Sequence, residues 1–197
     1  KKGAKILDIG CGYGRTTRPL YEIGFDVIGV DIVPRMIETA KHNNPQMDFR
    51  LMNATQLDFP DETFDYVLFS FNGLDYLYPK VRREKALMEI KRVLKSDGIF
   101  ILSSHNKMCL FAGIGLYHLK IVLRNIFNGR IFTDYIKEKY AGGYTITYFK
   151  MPFLQAREYK KAGFEVLEIL GRKNKSYIKI NLFESWCYYI LRKQKKI

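Results

Sequence analysis

The chain has few of the residues that staple or punctuate a fold. Its three cysteines (Cys11, Cys109 and Cys187) are odd in number and show no Cys-x-x-Cys spacing. That argues against a disulfide framework and a zinc ribbon, leaves no set with metal-ligand spacing, and suits a reducing, cytoplasmic setting. No long apolar run is present. The longest uncharged stretch of the second half, Met108–Leu119, is shorter than the roughly 18 apolar residues of a membrane-spanning helix. No internal repeat, low-complexity block or signal-peptide pattern appears. The sequence starts at Lys1 and enters a strand almost at once, so an N-terminal segment, with any targeting signal it carries, is expected to be missing.

What is present suits one globular domain. Hydrophobic residues make up 47% and charged residues 27% of the 197, enough apolar material to build a core and rule out wholesale disorder. The net charge of +13 is unevenly placed. Residues 1–106 hold 15 basic and 14 acidic side chains, whereas 107–197 hold 18 and 6. A balance that basic raises nucleic acid, an anionic membrane surface or an anionic substrate as partners, and the second half carries it.

Residues 4–106 alternate strand and helix. Strands are expected at Ala4–Gly10, Asp26–Asp31, Met47–Met52, Phe64–Phe69 and Ile99–Ser103. Helices are expected at Thr16–Ile23, Pro34–Asn43 and Val81–Leu94, the last with an apolar stripe of Ala86, Leu87, Ile90, Val93 and Leu94. Apolar strands in such alternation predict a doubly wound, Rossmann-like α/β domain with a mostly parallel sheet, whose ligands bind beyond the carboxyl ends of the strands. Residues 107–150 break the rhythm: a helical pattern over Met108–Phe127, then a polar, tyrosine-rich loop from Tyr135 to Phe149. This insert is expected to be a core-facing helix and loop, with a membrane-surface helix as the weaker alternative. A helix over Pro152–Ala162 follows, then strands at Phe164–Leu170 and Phe183–Leu191, joined by an irregular stretch and read as an antiparallel hairpin.

The most informative segment is Asp8-Ile9-Gly10-Cys11-Gly12-Tyr13-Gly14-Arg15. A glycine-rich strand-to-helix turn lets a ligand approach the backbone. A dinucleotide fingerprint would place its third small residue at Arg15, and the phosphate loop needs Gly-Lys-Ser/Thr, so neither fits. Asp8 would repel a pyrophosphate and suits a ligand with positive charge. Asp31, 17 residues after Gly14 at the end of the second strand, stands where a carboxylate accepts from two ribose hydroxyls.

With these residues the sequence resembles the class I S-adenosylmethionine-dependent methyltransferases, and its single compact domain with an insert resembles their small-molecule branch, type 11. The resemblance runs on through Asn53-Ala54, Leu57–Asp65 and Val93–Gly98. It implies a seven-stranded sheet with an antiparallel last strand, an insert between strands five and six that walls the substrate pocket, and a helix upstream of strand one. It implies S-adenosylmethionine as cofactor and S-adenosylhomocysteine as product. By the same resemblance Asp8 would help hold the methionine moiety, and Gly10, Cys11, Gly12 and Gly14 would form the turn the cofactor passes over. Asp31 would take the ribose and Ile32 would lie against the adenine. Asn53 replaces the usual aspartate facing the adenine amino group, Ala54 would offer its N–H, and Ser70 and Phe71 would lie near the methionine end.

His105, after strand five, and Asp75, after strand four, are the candidate bases. Capping a helix or tying down a loop is the plainer role for each. His42 and His118 read as structural or solvated. The Asn/Asp-Pro-Pro-aromatic motif of amine-methylating nucleic-acid enzymes is absent at Ser70-Phe71-Asn72-Gly73, and no cysteine nucleophile is present there. The expected acceptor is therefore a small molecule, with an anionic one in view, methylated on oxygen, nitrogen or carbon. Tyr144 and Tyr148 are candidate substrate contacts, within an aromatic set that includes Tyr135, Tyr140 and Phe149; packing a lid is the equally plausible plain role for these rings. The alternatives are an RNA or protein methyltransferase gripping a polyanion through the basic half, or a cofactor-binding protein without turnover. Oligomeric state is not readable from the sequence.

Overall fold

A computed structural model of the chain describes residues 3–110, 123, 125–129, 132–140, 142–172 and 176–194, without the side chains of 109, 110, 138, 140, 177 and 183. The order is β1 (Lys5–Ile9), α1 (Thr17–Glu22), β2 (Asp26–Asp31), α2 (Pro34–Asn43), β3 (Asp48–Leu51), β4 (Phe64–Phe69), a 3₁₀ turn (Gly73–Tyr76), α3 (Lys80–Val93) and β5 (Leu94–His105). A second 3₁₀ turn (Lys107–Leu110) leads into the insert, where β6 (Tyr135–Tyr140) and β7 (Gly143–Tyr148) lie, followed by α4 (Pro152–Lys161), β8 (Phe164–Gly171), α5 (Tyr177–Phe183) and β9 (Trp186–Lys193).

Seven strands form one sheet in the order β3-β2-β1-β4-β5-β9-β8. β1, β2, β3, β4 and β5 pair in parallel, and β9 runs antiparallel to both β5 and β8. This is the doubly wound sheet with an antiparallel last strand that the pattern and the resemblance imply. Parallel pairing puts the carboxyl ends of β1, β2, β4 and β5 on one edge, and with them Gly10, Asp31, Ser70 and His105. Leu7, Val30, Val67 and Phe100 are fully buried along the strands, and Ala86, Leu87, Ile90 and Val93 of α3 pack into the same cluster. Burying each larger side chain is worth about 1.5–3 kcal/mol. A smaller cluster of Cys11, Ile37, Ala40, Met47 and Phe49 seats α2.

The structure revises three expectations. First, β5 begins at Leu94 instead of Ile99. Phe64 pairs with Leu94 but Tyr66 pairs with Ile99, so residues 95–98 form a bulge inside the strand, with Asp97 at φ 62°. Second, the Tyr135–Phe149 stretch is a β-hairpin, with Tyr135 opposite Tyr148 and Tyr140 opposite Gly143. Third, the link from β8 to β9 holds α5, a helix of seven residues. This link reads as irregular in the sequence, but tertiary contacts make it helical. Ile180 is buried, and the Asn106 side-chain amide donates to the carbonyls of Ile180 and Asn181. β9 accordingly starts at Trp186, not Phe183. The helix expected over Met108–Phe127 and the reading of His118 lie largely outside the described residues.

Candidate active site

The turn after β1 is held from inside. Gly10 and Cys11 donate their N–H groups to the Val30 carbonyl, and Cys11 is buried against Ile37 and Phe49. Gly10, Gly12 and Gly14 all have positive φ (69°, 56° and 93°), a region where only glycine is free of strain. Beyond that they differ. A Cβ on Gly10 would stand 3.1 Å from the Phe69 ring and one on Gly14 2.9 Å from Phe49, whereas at Gly12 nothing lies within 4 Å. Gly10 and Gly14 are thus required by the protein's own packing, and Gly12 is the position of the three that opens on free space.

Beneath this turn lies Asp8, with no exposed surface. Its Oδ2 accepts from the hydroxyls of Thr16 (2.5 Å) and Thr17 (2.7 Å), while Oδ1 is buried without a partner. Burial pushes the Asp8 carboxyl up to about 6, against the opposing pull of the two threonine hydroxyls. Asp31, half-buried at the end of β2, accepts from the Gly12 N–H and the Val33 N–H, each at 2.9 Å. It therefore ties the glycine turn to β2 while each carboxylate oxygen keeps a lone pair. Ile32 is 62% exposed at the same edge. Asn53 is exposed, and its Oδ1 accepts from the N–H (2.9 Å) and hydroxyl (3.0 Å) of Thr55, a local turn. Ala54 beside it is buried.

Across the edge, the structure brings the two candidate bases into contact. Asp75 is fully buried in the 3₁₀ turn after β4. Its Oδ1 accepts from the Ser104 hydroxyl (2.7 Å), and its Oδ2 from the backbone N–H (2.7 Å) and ring Nδ1 (2.9 Å) of His105. A carboxylate can only accept, so the proton sits on Nδ1, which leaves Nε2 as the acceptor nitrogen. Asn72 Nδ2 lies 3.1 Å from Nε2, and the Asn72 N–H donates to the Ser103 hydroxyl. Phe71 and Asn72 both have positive φ, 54° and 59°. That is costly for an aromatic residue, and such strain concentrates at functional turns. The exposed Phe71 ring lies 3.2 Å beneath the guanidinium of Arg15. The Tyr76 and Phe149 rings sit 6.1 and 4.9 Å from His105. Asn72 and Ser104 carry no role in the sequence reading, whereas Phe71 is placed there near the methionine end. The Asn72-Gly73 pair is a turn signal, but the pairing of Asn72 with His105 joins residues 33 apart and leaves no local trace.

Of the two expected substrate contacts, Tyr148 is buried and Tyr144 is exposed. Tyr148 is 1% exposed, and its hydroxyl donates to Glu158 at 2.6 Å. It is a core residue of the hairpin base with no surface to present. Tyr144 is 71% exposed with Lys137 Nζ 4.5 Å above its ring. Asp75, too, has no surface to offer a substrate and acts on one only through His105. Behind it runs a chain of charge that is buried at Asp75 and Arg83 and partly exposed beyond. Arg83 lies 4.0 Å from Asp75 and 3.8 Å from Glu158, and Lys150 joins Glu158 (2.6 Å) to Asp134 (2.8 Å).

Comparison with known proteins agrees with this architecture. Residues 7–102 match the family model described as a methyltransferase domain, type 11. That segment is thus similar to the type 11 methyltransferase domains. It is 35% identical over 101 residues to a demethylmenaquinone methyltransferase of Renibacterium salmoninarum, covering 51% of this chain and 41% of that protein. It is 33% identical over 115 residues to the human eEF1A lysine and N-terminal methyltransferase, covering 56% of this chain and 16% of that protein. The chain thus spans less than half the length of these relatives. A solved S-adenosylmethionine-dependent methyltransferase from Methanosarcina mazei superposes with a TM-score of 0.79, over 100% of this chain and 95% of its own, at 20% identity. That likeness speaks for the fold.

Proposed function

We propose that this protein transfers the methyl group of S-adenosylmethionine to a small-molecule acceptor, leaving S-adenosylhomocysteine. The observation that carries the reading is Asp8, a carboxylate buried under a glycine turn with one oxygen unpartnered. Such a group is costly unless a cation or a donor completes it, and the cofactor carries both a sulfonium and an ammonium. Asp8 would stand against the methionine end, Gly12 would admit the cofactor to the backbone, Asp31 would accept the ribose hydroxyls, and Ile32 would pack on the adenine. Ala54 would offer its N–H. Asn53, whose amide oxygen is engaged by Thr55, would contribute less. Bound there, the cofactor supplies a methyl group on a positively charged sulfur.

The chain's own task is to hold an acceptor at that methyl and, where the acceptor must lose a proton, to take it. His105 Nε2 is the base, with its tautomer fixed by Asp75, a positioning residue. Asn72 holds Nε2 until an acceptor's O–H or N–H replaces it. Phe71, Tyr76 and Tyr78, each about half exposed, follow β4 and offer aromatic walls that suit a flat, apolar acceptor. The similarity to a demethylmenaquinone methyltransferase supports that choice. A methyl-transfer assay against hydroquinones, phenols and aromatic amines tests it. Turnover that is lost in His105→Ala supports the reading, and absence of turnover with every acceptor class in cofactor-binding protein contradicts it.

A protein or RNA acceptor is the second reading, supported by the basic second half and by the similarity to an eEF1A methyltransferase. Salt separates the two: binding of a polyanion falls steeply between low and physiological salt, whereas turnover of a neutral aromatic acceptor does not.

A further inference from the structure

Away from the glycine turn, helices α3 and α4 flank a groove of about 700 Å³. At its base is Arg83, 3% exposed. Its Nη2 donates to the Tyr159 hydroxyl (3.1 Å), and its contacts with Asp75 (4.0 Å) and Glu158 (3.8 Å) are long. Its Nε is buried and bonds to nothing. A guanidinium has five N–H donors, and an unspent buried one marks a missing acceptor.

The rest of the lining points the same way. Glu158 is taken by Lys150 and Tyr148, and Glu84 by Lys80 at 3.4 Å. Arg157 and Lys161 are exposed on the rim, with no carboxylate at ion-pair distance among the described residues. The uncommitted charge is therefore positive. The floor is apolar: Leu87 and Leu154, with Met88 69% exposed at the mouth. The volume is that of a small-molecule site, not of a flat macromolecular interface.

We propose that the α3–α4 groove binds a small amphipathic anion, a carboxylate or phosphate on an apolar body, with Arg83, Arg157 and Lys161 at the head and Leu87, Met88 and Leu154 along the body. The ligand head would meet Arg157 and Lys161 at the rim, above the positive charge of Arg83, which keeps its bond to Tyr159, its stacking 4.3 Å over the Tyr148 ring and its place beside Asp75. The site is separate from the proposed cofactor cleft and does not depend on it.

Phenyl phosphate is a probe of this chemistry, and calorimetry reads its binding. Arg83 itself is too deep to replace safely, so the variants are on the rim. Expected is millimolar or tighter binding to the unaltered chain, unaffected by S-adenosylhomocysteine, and weakened about tenfold or more in Arg157→Gln/Lys161→Gln and in Met88→Glu. Lys41→Gln on α2 should leave it unchanged, and neutral benzyl alcohol should bind far less. No binding below about 10 mM, equal binding in all variants, or displacement by S-adenosylhomocysteine would each overturn the proposal.

Discussion

Asp8 is the residue on which the cofactor reading turns. Its carboxyl is raised by burial to about 6 from 3.8, so the folded protein holds this proton more tightly than the unfolded chain. Without cofactor, the Asp8 contribution to stability therefore rises as pH falls through about 6 and levels off below 3.8. Its full size is on the order of 3 kcal/mol. Asp8→Asn should flatten the pH dependence of thermal stability in that window and cost little stability at pH 7.5. A cation beside Asp8 lowers the carboxyl again, so cofactor affinity should strengthen from pH 5 to 7.5 in the native chain and not in Asp8→Asn. A variant that is destabilised at pH 7.5 yet binds as before would contradict this. At His105 the expectation is a split. His105→Ala should lower kcat about 10²-fold or more, with the KM for S-adenosylmethionine unchanged. Asp75→Asn should lower kcat less and also move the pH profile, because the ring loses its fixed tautomer. Equal stability loss with unchanged kcat in both would assign them to structure alone.

The next scale is that of turns and strands. The three glycines of the β1–α1 turn look alike in sequence but carry different loads. Gly14→Ala forces a Cβ into Phe49 and should lower the melting temperature markedly. Gly12→Ala costs only the strain of its positive φ, about 1–2 kcal/mol, and should chiefly weaken cofactor binding. If the two variants lose affinity and stability in the same proportion, Gly12 does not face the cofactor. In the insert hairpin the same contrast separates Tyr148 from Tyr144. Tyr148→Phe deletes a buried hydrogen bond to Glu158 and should cost about 1.5–3 kcal/mol with little change in kcat, measured by melting and by turnover side by side.

Much of this was legible in advance at the level of elements. β1 and β2 are short apolar runs closed by Gly10 and by Asp31, β4 is an aromatic-rich run of the same length class, and α3 shows its stripe plainly. The hairpin was missed although Tyr144–Tyr148 alternates and Gly142, at φ 83°, supplies a turn, because the charged Lys137-Glu138-Lys139 of its first strand reads as loop. α5 was missed because its formation depends on Asn106, 74 and 75 residues away, and on the burial of Ile180. In the candidate site, Asp8, the glycines, Asp31, Asp75 and His105 were readable from position after a strand. Asn72, Ser104 and Arg83 were not, since each acts through a partner distant in sequence.

At the scale of the whole molecule, the charge of +13 separates from the cofactor end of the sheet. The strands that carry the glycine turn and Asp31 are nearly neutral, while positive charge gathers in the second half. Some of it is spent internally: Lys150 holds Asp134 and Glu158, and Lys193 holds Glu62 at 3.2 Å. Arg157 and Lys161 have no ion pair among the described residues, and Arg157 lies 5.8 Å over the Phe153 ring.

In the proposed function, a buried acid beneath a glycine turn completes itself with a cationic nucleoside. Calorimetric titration of S-adenosylmethionine into the native chain and into Asp8→Asn at pH 7.5 tests it most directly. The account predicts micromolar to sub-millimolar binding to the native chain and a loss of about tenfold or more in the variant. No binding to the native chain, or equal affinity in the two, would contradict it.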